Sequence, residues 1–338
     1  MNLDKYSRQI LFRSLGPEGQ RTLRRASAVI IGCGALGSAS SNALVRAGIG
    51  RLRVIDRDYV EESNLQRQLL FDESDAAENL PKATAAATHL RRLNSEVEVE
   101  GVVADVDAGS VEAQVRGFDL ILDGTDNFES RYLLNDAAIK LGIPWIYGAV
   151  VGSYAASLTV IPGRTPCLAC AFPSPPQGLQ ETCDTAGVIS PAVAWTAAVQ
   201  VTESLKILTG QLDRLHGRLL AYDIWTNAFR ELTPAIDPEC RVCQKHDFAY
   251  LDGGRLSRST VLCGRDSVQI RQAENRGLDL AALRARLEPF GSVRSNEYLL
   301  RCHVAPYELT VFADGRAIIK GTSDPAVARR IYAQYIGS

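Results

Sequence analysis

Four of the eight cysteines fall into two C-x-x-C pairs, Cys167/Cys170 and Cys240/Cys243, while Cys33, Cys183, Cys263 and Cys302 stand alone. In a chain read as cytoplasmic, paired spacing of this kind suits a closed four-thiolate Zn2+ site, which staples a fold and does no chemistry. A redox-active pair is the rival, but a thioredoxin-like motif normally occurs once, at the start of a helix. Cys183 lies in Glu181-Thr182-Cys183-Asp184-Thr185-Ala186-Gly187, after a proline-rich loop and before a helix. That setting can lower a thiol pKa and make a nucleophile, with inert packing as the competing reading. For Cys33, Cys263 and Cys302 packing is the only reading.

A second set of residues points to a nucleotide. The loop Gly32-Cys33-Gly34-Ala35-Leu36-Gly37 follows a short apolar run and opens a helical stretch. Its glycines let the backbone turn tightly and approach phosphates, while the helix offers free amides and a positive dipole end. Asp56 closes the next strand, where a carboxylate can accept ribose hydroxyls. An NAD-dependent oxidoreductase would look the same here. Ser63-Asn64-Leu65-Gln66-Arg67-Gln68 and then Lys82 favour attack on a nucleotide phosphate, because Arg67 and Lys82 would neutralise charge on phosphate oxygens and leaving pyrophosphate. A solvated basic turn is the bland alternative. Asp126, in Asp123-Gly124-Thr125-Asp126-Asn127, can hold Mg2+ against triphosphate oxygens. Either Asp126 or Asn127 can also cap the helix that follows.

These groups need a scaffold, and its pattern is α/β. Strands are expected from Ala28 to Ile31, Arg51 to Asp56, Val97 to Val103 and Asp119 to Leu122. Helices run from the glycine loop through Ala47, from Lys82 to Leu93 and from Ser130 to Leu141. Such alternation predicts a doubly wound, Rossmann-like, mainly parallel sheet. Beyond Pro144 come strand-like runs, a Pro-rich connection from Pro173 to Gly178, a helix from about Pro191 to Leu208 and a polar closing loop from Cys240 to Asp247. From Phe248 onward, short strands, two helices and the hairpin turn Ala313-Asp314-Gly315 read as a small α+β unit. The expected division is 1–247 and 248–338.

Composition bounds the rest. Of 338 residues 46% are hydrophobic and 22% charged, enough for a core and against disorder. Lys plus Arg number 37 against 39 Asp plus Glu, so the net charge of -2 gives no case for nucleic acid or a membrane surface as partner. No apolar run is long enough to span a bilayer, and the charged N-terminus is unlike a signal peptide, which together lead to a cytoplasmic reading.

The assembled motifs resemble the ThiF/MoeB/HesA family, bacterial relatives of ubiquitin-activating enzymes. The matching stretches are Tyr6-Ser7-Arg8-Gln9-Ile10, GCGALG, RLRVIDRDYVEESNLQRQ, LPKA, LDGTDNFESRYLLND, the paired cysteines, ETCDTAGVISP and PECRVC, within about residues 5 to 246. The resemblance implies an enzyme that binds ATP and Mg2+ and adenylates the terminal glycine carboxylate of a ubiquitin-like sulfur-carrier protein. It implies that Gly32, Gly34, Ala35 and Gly37 cradle the nucleotide and that Asp56 holds the ribose. Ser63, Asn64, Arg67 and Lys82 would line the phosphates, and Asp126 would bind Mg2+ with Asn127 beside it. Arg8 matches the family's arginine that enters the partner subunit's site, which implies a homodimer. Cys183 matches a cysteine that can form an acyl disulfide with the carrier in the thiamine branch. A cysteine desulfurase or another sulfur donor is a further expected partner. The tail has no rhodanese-type sulfur loop, since Cys263-Gly264-Arg265-Asp266 does not match one. In LCGRDSVQI and ELTVFADGRAIIKGTSDPAVARRIY it resembles the extra domain of thiazole-biosynthesis members. This favours a carrier of the ThiS type, with the molybdopterin carrier of the MoaD type as the alternative.

Overall fold

A computed structural model describes residues 3–175, 183–253, 259–262, 266–270 and 277–337; side chains are described for all of these except 183, 184 and 259–262. The chain divides into two compact units, Met1–Arg255 and Leu256–Ser338.

The first unit is built on an eight-stranded sheet in the order β3-β2-β1-β4-β5-β6-β7-β8. Its strands are β1 (Ser27–Ile31), β2 (Arg51–Asp56), β3 (Glu98–Val103), β4 (Leu120–Asp123), β5 (Trp145–Val151), β6 (Tyr154–Val160), β7 (Leu219–Asp223) and β8 (Ala228–Leu232). From β3 to β5 the pairing is parallel, and from β5 to β8 it is antiparallel. The Rossmann-like, mainly parallel sheet expected from the alternation is therefore present, with an antiparallel extension. β8, with all five residues exposed, has no strong apolar alternation and was not expected from the sequence.

β1 shows why both faces are covered. Ala28 and Ile30 pack with the helices Ala35–Ala47 and Lys82–Leu93, whereas Val29 and Ile31 pack on the other side with the helix Phe128–Leu141. A strand apolar on both faces has to be sandwiched between helices. The chain order reverses at β1 and β4, so the ends of these strands part and leave a crevice, the usual ligand site of an open α/β sheet.

Two glycines set the shape of that crevice. Gly32 has φ +90° and its ideal Cβ would lie 2.5 Å from the Gly124 carbonyl oxygen. A Cβ on Gly124 would in turn lie 2.2 Å from the Gly32 carbonyl oxygen. The loops after β1 and β4 thus touch backbone to backbone. Gly37 is equally constrained, because its Cβ would meet the Gly32 carbonyl oxygen at 1.9 Å. Gly34 is different, with ordinary contact only, 3.9 Å from Gln68 Nε2.

The second unit is a six-stranded antiparallel sheet, β11-β12-β13-β14-β10-β9. Its strands are β9 (Ser259–Leu262), β10 (Ser267–Ile270), β11 (Ser292–Ser295), β12 (Leu299–Val304), β13 (Tyr307–Phe312) and β14 (Ala317–Lys320). Leu283 and Leu287 of one helix and Ile331 and Tyr332 of another pack on Leu300, Cys302, Leu309 and Val311. The Ala313-Asp314-Gly315 turn joins β13 to β14 as its composition predicts, while β11, of mixed exposure, was missed. Cys302 is a core residue, and Cys263 lies outside the described residues.

These contacts predict a contrast among the loop glycines. Gly32→Ala and Gly124→Ala should each cost about 2–4 kcal/mol, from overpacking against backbone and, at Gly32, left-handed strain. Gly34→Ala should cost under about 1 kcal/mol. Trp145, Trp195 and Trp225 all lie in the first unit, so urea unfolding followed by tryptophan fluorescence measures the difference.

Candidate nucleotide site and cysteine cluster

β2 delivers Asp56 to the glycine loop. One carboxylate oxygen accepts the Cys33 backbone N–H at 2.5 Å and the other accepts the Asp58 N–H at 2.7 Å. Asp56 is 8% exposed. Burial pushes its carboxyl up, opposed by the positive charge of Lys82. Each oxygen keeps a second lone pair for an incoming hydroxyl. Cys33 itself is buried, with its thiol pushed well up by burial, as expected of a packing residue.

Lys82 is the first residue of its helix, with Pro81 at the N-cap. A cation at the positive end of a helix is unfavourable by a few tenths to about 1 kcal/mol, so helix stability does not explain it. Its ammonium is buried and lies 3.6 Å from the Asp58 carboxylate. The backbone beneath is fixed by Lys82 N–H to Asp58 O at 2.8 Å. Asp56, Asp58 and Lys82 form one compact charged group beside the glycine loop.

The turn Glu62–Asn64 supplies the next residues. Ser63 is exposed; Asn64 is buried, donates from Nδ2 to Ser63 Oγ at 3.3 Å, and its Oδ1 has no hydrogen-bond partner among the described residues. Arg67 donates to Ser63 O at 2.9 Å, which folds its side chain back along the turn.

On the far wall, Asp123 ends β4. Its carboxylate accepts the Thr125 N–H and hydroxyl at 2.9 and 2.7 Å. It also lies 3.3 Å from Arg131 Nε, both side chains being buried. Arg131 donates to the carbonyl oxygens of Thr125 and Gly148. Gln200 donates to Asp123 O at 2.8 Å. Asn127 caps the helix Phe128–Leu141 by accepting the Ser130 N–H at 2.8 Å, which settles the capping choice in its favour. Asp126 is left exposed at the crevice, accepting only from Asn127 Nδ2 at 3.2 Å among the described residues. Arg57, held by Asp105 at 3.4 Å, and Arg131 are both stabilised in charged form by carboxylates that include Asp126. Mg2+ takes one or two protein carboxylates plus substrate oxygens, and an exposed carboxylate such as Asp126 has the donor chemistry for it.

Around the glycine loop the structure brings together Asp56, bonded to the Cys33 N–H, Lys82, whose charge acts on both, and Gly124, in backbone contact with Gly32, while Ser63, Asn64 and Arg67 share the neighbouring turn and Asp126 and Asn127 follow Gly124. It does not gather Arg8. Tyr6 lies against Gly48 and accepts from Asn94 Nδ2 at 2.8 Å, while Gln9 donates to Ala47 O at 2.8 Å. These contacts tie the N-terminal turn to the far end of the helix Ala35–Ala47, a rise of about 20 Å from the glycine loop. Arg8 points outward and is exposed. Sequence reasoning missed Gly124, Asp123, Arg131 and Gln200 as organisers; the Asp-Gly step closing a buried strand was the available signal.

Cys167 and Cys170 sit in the turn at Leu168–Ala171, and Cys240 and Cys243 approach it from the closing loop. The sulfurs are 3.8 Å apart between Cys167 and Cys170, 3.7 Å between Cys167 and Cys240, and 3.4 Å between Cys170 and Cys243. A tetrahedron with Zn–S of about 2.3 Å has edges of about 3.8 Å, so the donor set fits Zn2+. Burial pushes the Cys167 thiol well up and the Cys243 thiol to about 11. A metal bound here has to displace protons. The turn is braced by Tyr132 hydroxyl to Phe172 O at 2.6 Å and Leu168 N–H to Asn135 Oδ1 at 2.9 Å, both from the helix that Asn127 caps. Cys183 opens a helical turn, Cys183–Ala186, and its side chain lies outside the described residues.

The class is that of a doubly wound α/β unit with a glycine loop at its switch-point crevice and a cluster of four cysteines. Residues 6–242 match the ThiF family. The chain is 48% identical to the sulfur carrier protein ThiS adenylyltransferase of Bacillus subtilis, over 98% of this chain and 99% of that one. It is 40% identical to the SAMP-activating enzyme E1 of Haloferax volcanii, over 71% and 88% respectively. A crystal structure of E. coli MccB with ATP, 24% identical, superposes with a TM-score of 0.63 over 72% of this chain and 75% of that one, and shows the fold. The chain belongs to the ThiF family.

The cluster geometry predicts about one zinc ion per chain by elemental analysis. Cys240→Ser should abolish it and lower the melting temperature. Because the thiols must be deprotonated, zinc retention should fall as the pH is lowered.

Proposed function

We propose that this protein is an ATP-dependent adenylyltransferase acting on the C-terminal glycine carboxylate of a ubiquitin-like sulfur carrier of the ThiS type. The observation that carries the reading is the 48% identity to a ThiS adenylyltransferase across nearly the whole of both chains. ATP lies with its phosphates on the loop from Gly32 to Gly37 and its ribose on Asp56. The carrier's carboxylate oxygen attacks the α-phosphorus as the bond to the bridging oxygen breaks, and pyrophosphate leaves with that electron pair. Ser63, Asn64, Arg67 and Lys82 hold the phosphates and balance the charge on the leaving group, and this placement lowers the barrier without covalent chemistry by the protein. Asp126, with Asn127 beside it, is the residue to hold Mg2+, which screens the triphosphate charge when bound. Zn2+ on the four cysteines is structural.

A desulfurase or another donor of persulfide sulfur then supplies the sulfur for a thiazole ring. Passed to the Cys183 thiol it makes a persulfide, whose terminal sulfur attacks the acyl-adenylate carbonyl as AMP leaves with the electron pair of the broken acyl–oxygen bond, and an acyl disulfide results. The enzyme works as a homodimer in which Arg8 completes the partner's site. Leu11 and Phe12, 68% and 66% exposed next to Arg8, support that face as a contact.

Pyrophosphate exchange into ATP should require Mg2+ and a ThiS-type carrier; exchange with a MoaD-type carrier alone would overturn the assignment of substrate. Mixing Arg8→Ala with Asp126→Ala chains, each inactive alone, should restore part of the exchange, and a mixture without activity would rule out shared sites. Cys183→Ala should adenylate normally and fail in sulfur transfer; full transfer would remove its nucleophilic role.

A further inference from the structure

The sheet of the second unit carries its helices on one face. Leu300 and Cys302 of β12 and Leu309 and Val311 of β13 pack toward them, so strand alternation turns Arg301, His303 and Glu308 to the other face. Val293 of β11 also packs on the helix side, which turns Ser292 and Arg294 the same way as Arg301. Register then sets the neighbours. Arg294 stands directly opposite Arg301, Ser292 opposite His303, and His303 opposite Glu308. These five residues, together with Cys302, line a cavity of about 200 Å³.

Like charges directly opposite on neighbouring strands are destabilising. Arg301 is matched by Glu308, whose carboxylate lies 2.5 Å from its guanidinium. Arg294 is exposed and makes no hydrogen bond or ion pair among the described residues. A single exposed arginine is ordinary. Two set face to face, with an imidazole and a hydroxyl around the same cavity, call for an anion. The surrounding unit agrees in sign: Leu256–Ser338 holds twelve Lys and Arg against eight Asp and Glu, a net of +4 in a chain of -2 overall.

The lining also selects the kind of anion. Arg294 offers five N–H donors in a planar fork, His303 a ring N–H and Ser292 a hydroxyl. A tetrahedral oxyanion presents acceptors in several directions at once, and a guanidinium can grip two of them together. The volume falls below the roughly 300–1,000 Å³ of pockets for drug-sized ligands, so the occupant is small. We propose that this cavity is a binding site for a phosphate group, free or carried by a small ester, held by Arg294, His303 and Ser292. Glu308 keeps Arg301 at the cavity wall, where its charge adds to the attraction, and the same carboxylate can accept a hydroxyl of an ester. The nucleotide crevice belongs to the other unit, and the two sites stand or fall separately.

The chain has four histidines, so its imidazole resonances are few in a proton NMR spectrum, and His303→Gln assigns the one at the cavity. Inorganic phosphate and glycerol phosphate, each titrated into the full chain at constant ionic strength, should move that resonance at millimolar concentration, and the tighter of the two names the source. Acetate should move it far less. Arg294→Gln should require about five- to thirtyfold more ligand for the same shift, with a thermal midpoint unchanged or raised because Arg301 no longer faces a like charge. Lys82→Ala, in the nucleotide crevice, should leave the His303 titration as it was, which keeps failure of the nucleotide reading distinct from failure here. A resonance unmoved by both phosphates would overturn the proposal. So would an equal response to acetate, the mark of an undiscriminating positive surface, or an Arg294→Gln titration that matches the unaltered chain.

Discussion

The backbone contact between Gly32 and Gly124 is the constraint from which the rest of the crevice follows. Two loops leave neighbouring parallel strands, and only because neither carries a Cβ can their carbonyls pass at this distance. That approach sets how far apart β1 and β4 may part, and so the width of the crevice. It also ties the glycine loop to the strand end that carries Asp123. A side chain on either residue would push the helix Ala35–Ala47 away from the loop that follows β4.

Charge is arranged around that contact in two different ways. Asp123 and Arg131 form a buried pair that also binds the Thr125 N–H and the carbonyl oxygens of Thr125 and of Gly148 in β5, so the pair ties the loop after β4 to the neighbouring strand. A buried pair of this kind contributes little net stability but is costly to break. Lys82 and Asp126 differ from that pair: Lys82 is buried beside the carboxylates of Asp58 and Asp56, and Asp126 is exposed with Asn127 Nδ2 donating to it. Arg131 lies one turn into the helix that Asn127 caps, and the same helix braces the cysteine turn through Tyr132 and Asn135. One helix therefore joins the cysteine cluster to the loop that carries Asp126.

Much of this was legible in the sequence because local rules and global fold agree. The run from Ala28 to Gly37 announces strand, loop and helix, and Asp56 and Lys82 sit at element ends where the pattern changes period. The cysteine pairs needed only spacing to be matched with each other. What stayed hidden depends on contacts between distant segments. Arg131 reads as a solvent-facing helix residue until β5 brings Gly148 against it. Gln68 reads as a polar turn residue, and its burial appears only when the turn folds over Gly34. β8 has too little apolar alternation to signal a strand, and pairs because β7 presents an edge to it.

The cysteine cluster joins positions 73 residues apart in the chain. That separation is also a delay. At synthesis rates of roughly 5–20 residues per second, Cys167 and Cys170 leave the ribosome roughly 4–15 s before their partners. During that interval the turn holds half a ligand set, with two thiols and no means of enclosing a metal. β7 and β8 are made before the closing loop arrives, so the antiparallel half of the sheet can pair first and offer the incoming cysteines a preformed target. The order of the chain thus makes completion of the four-cysteine cluster a late event in synthesis, with two of its thiols waiting unmatched until the closing loop is made.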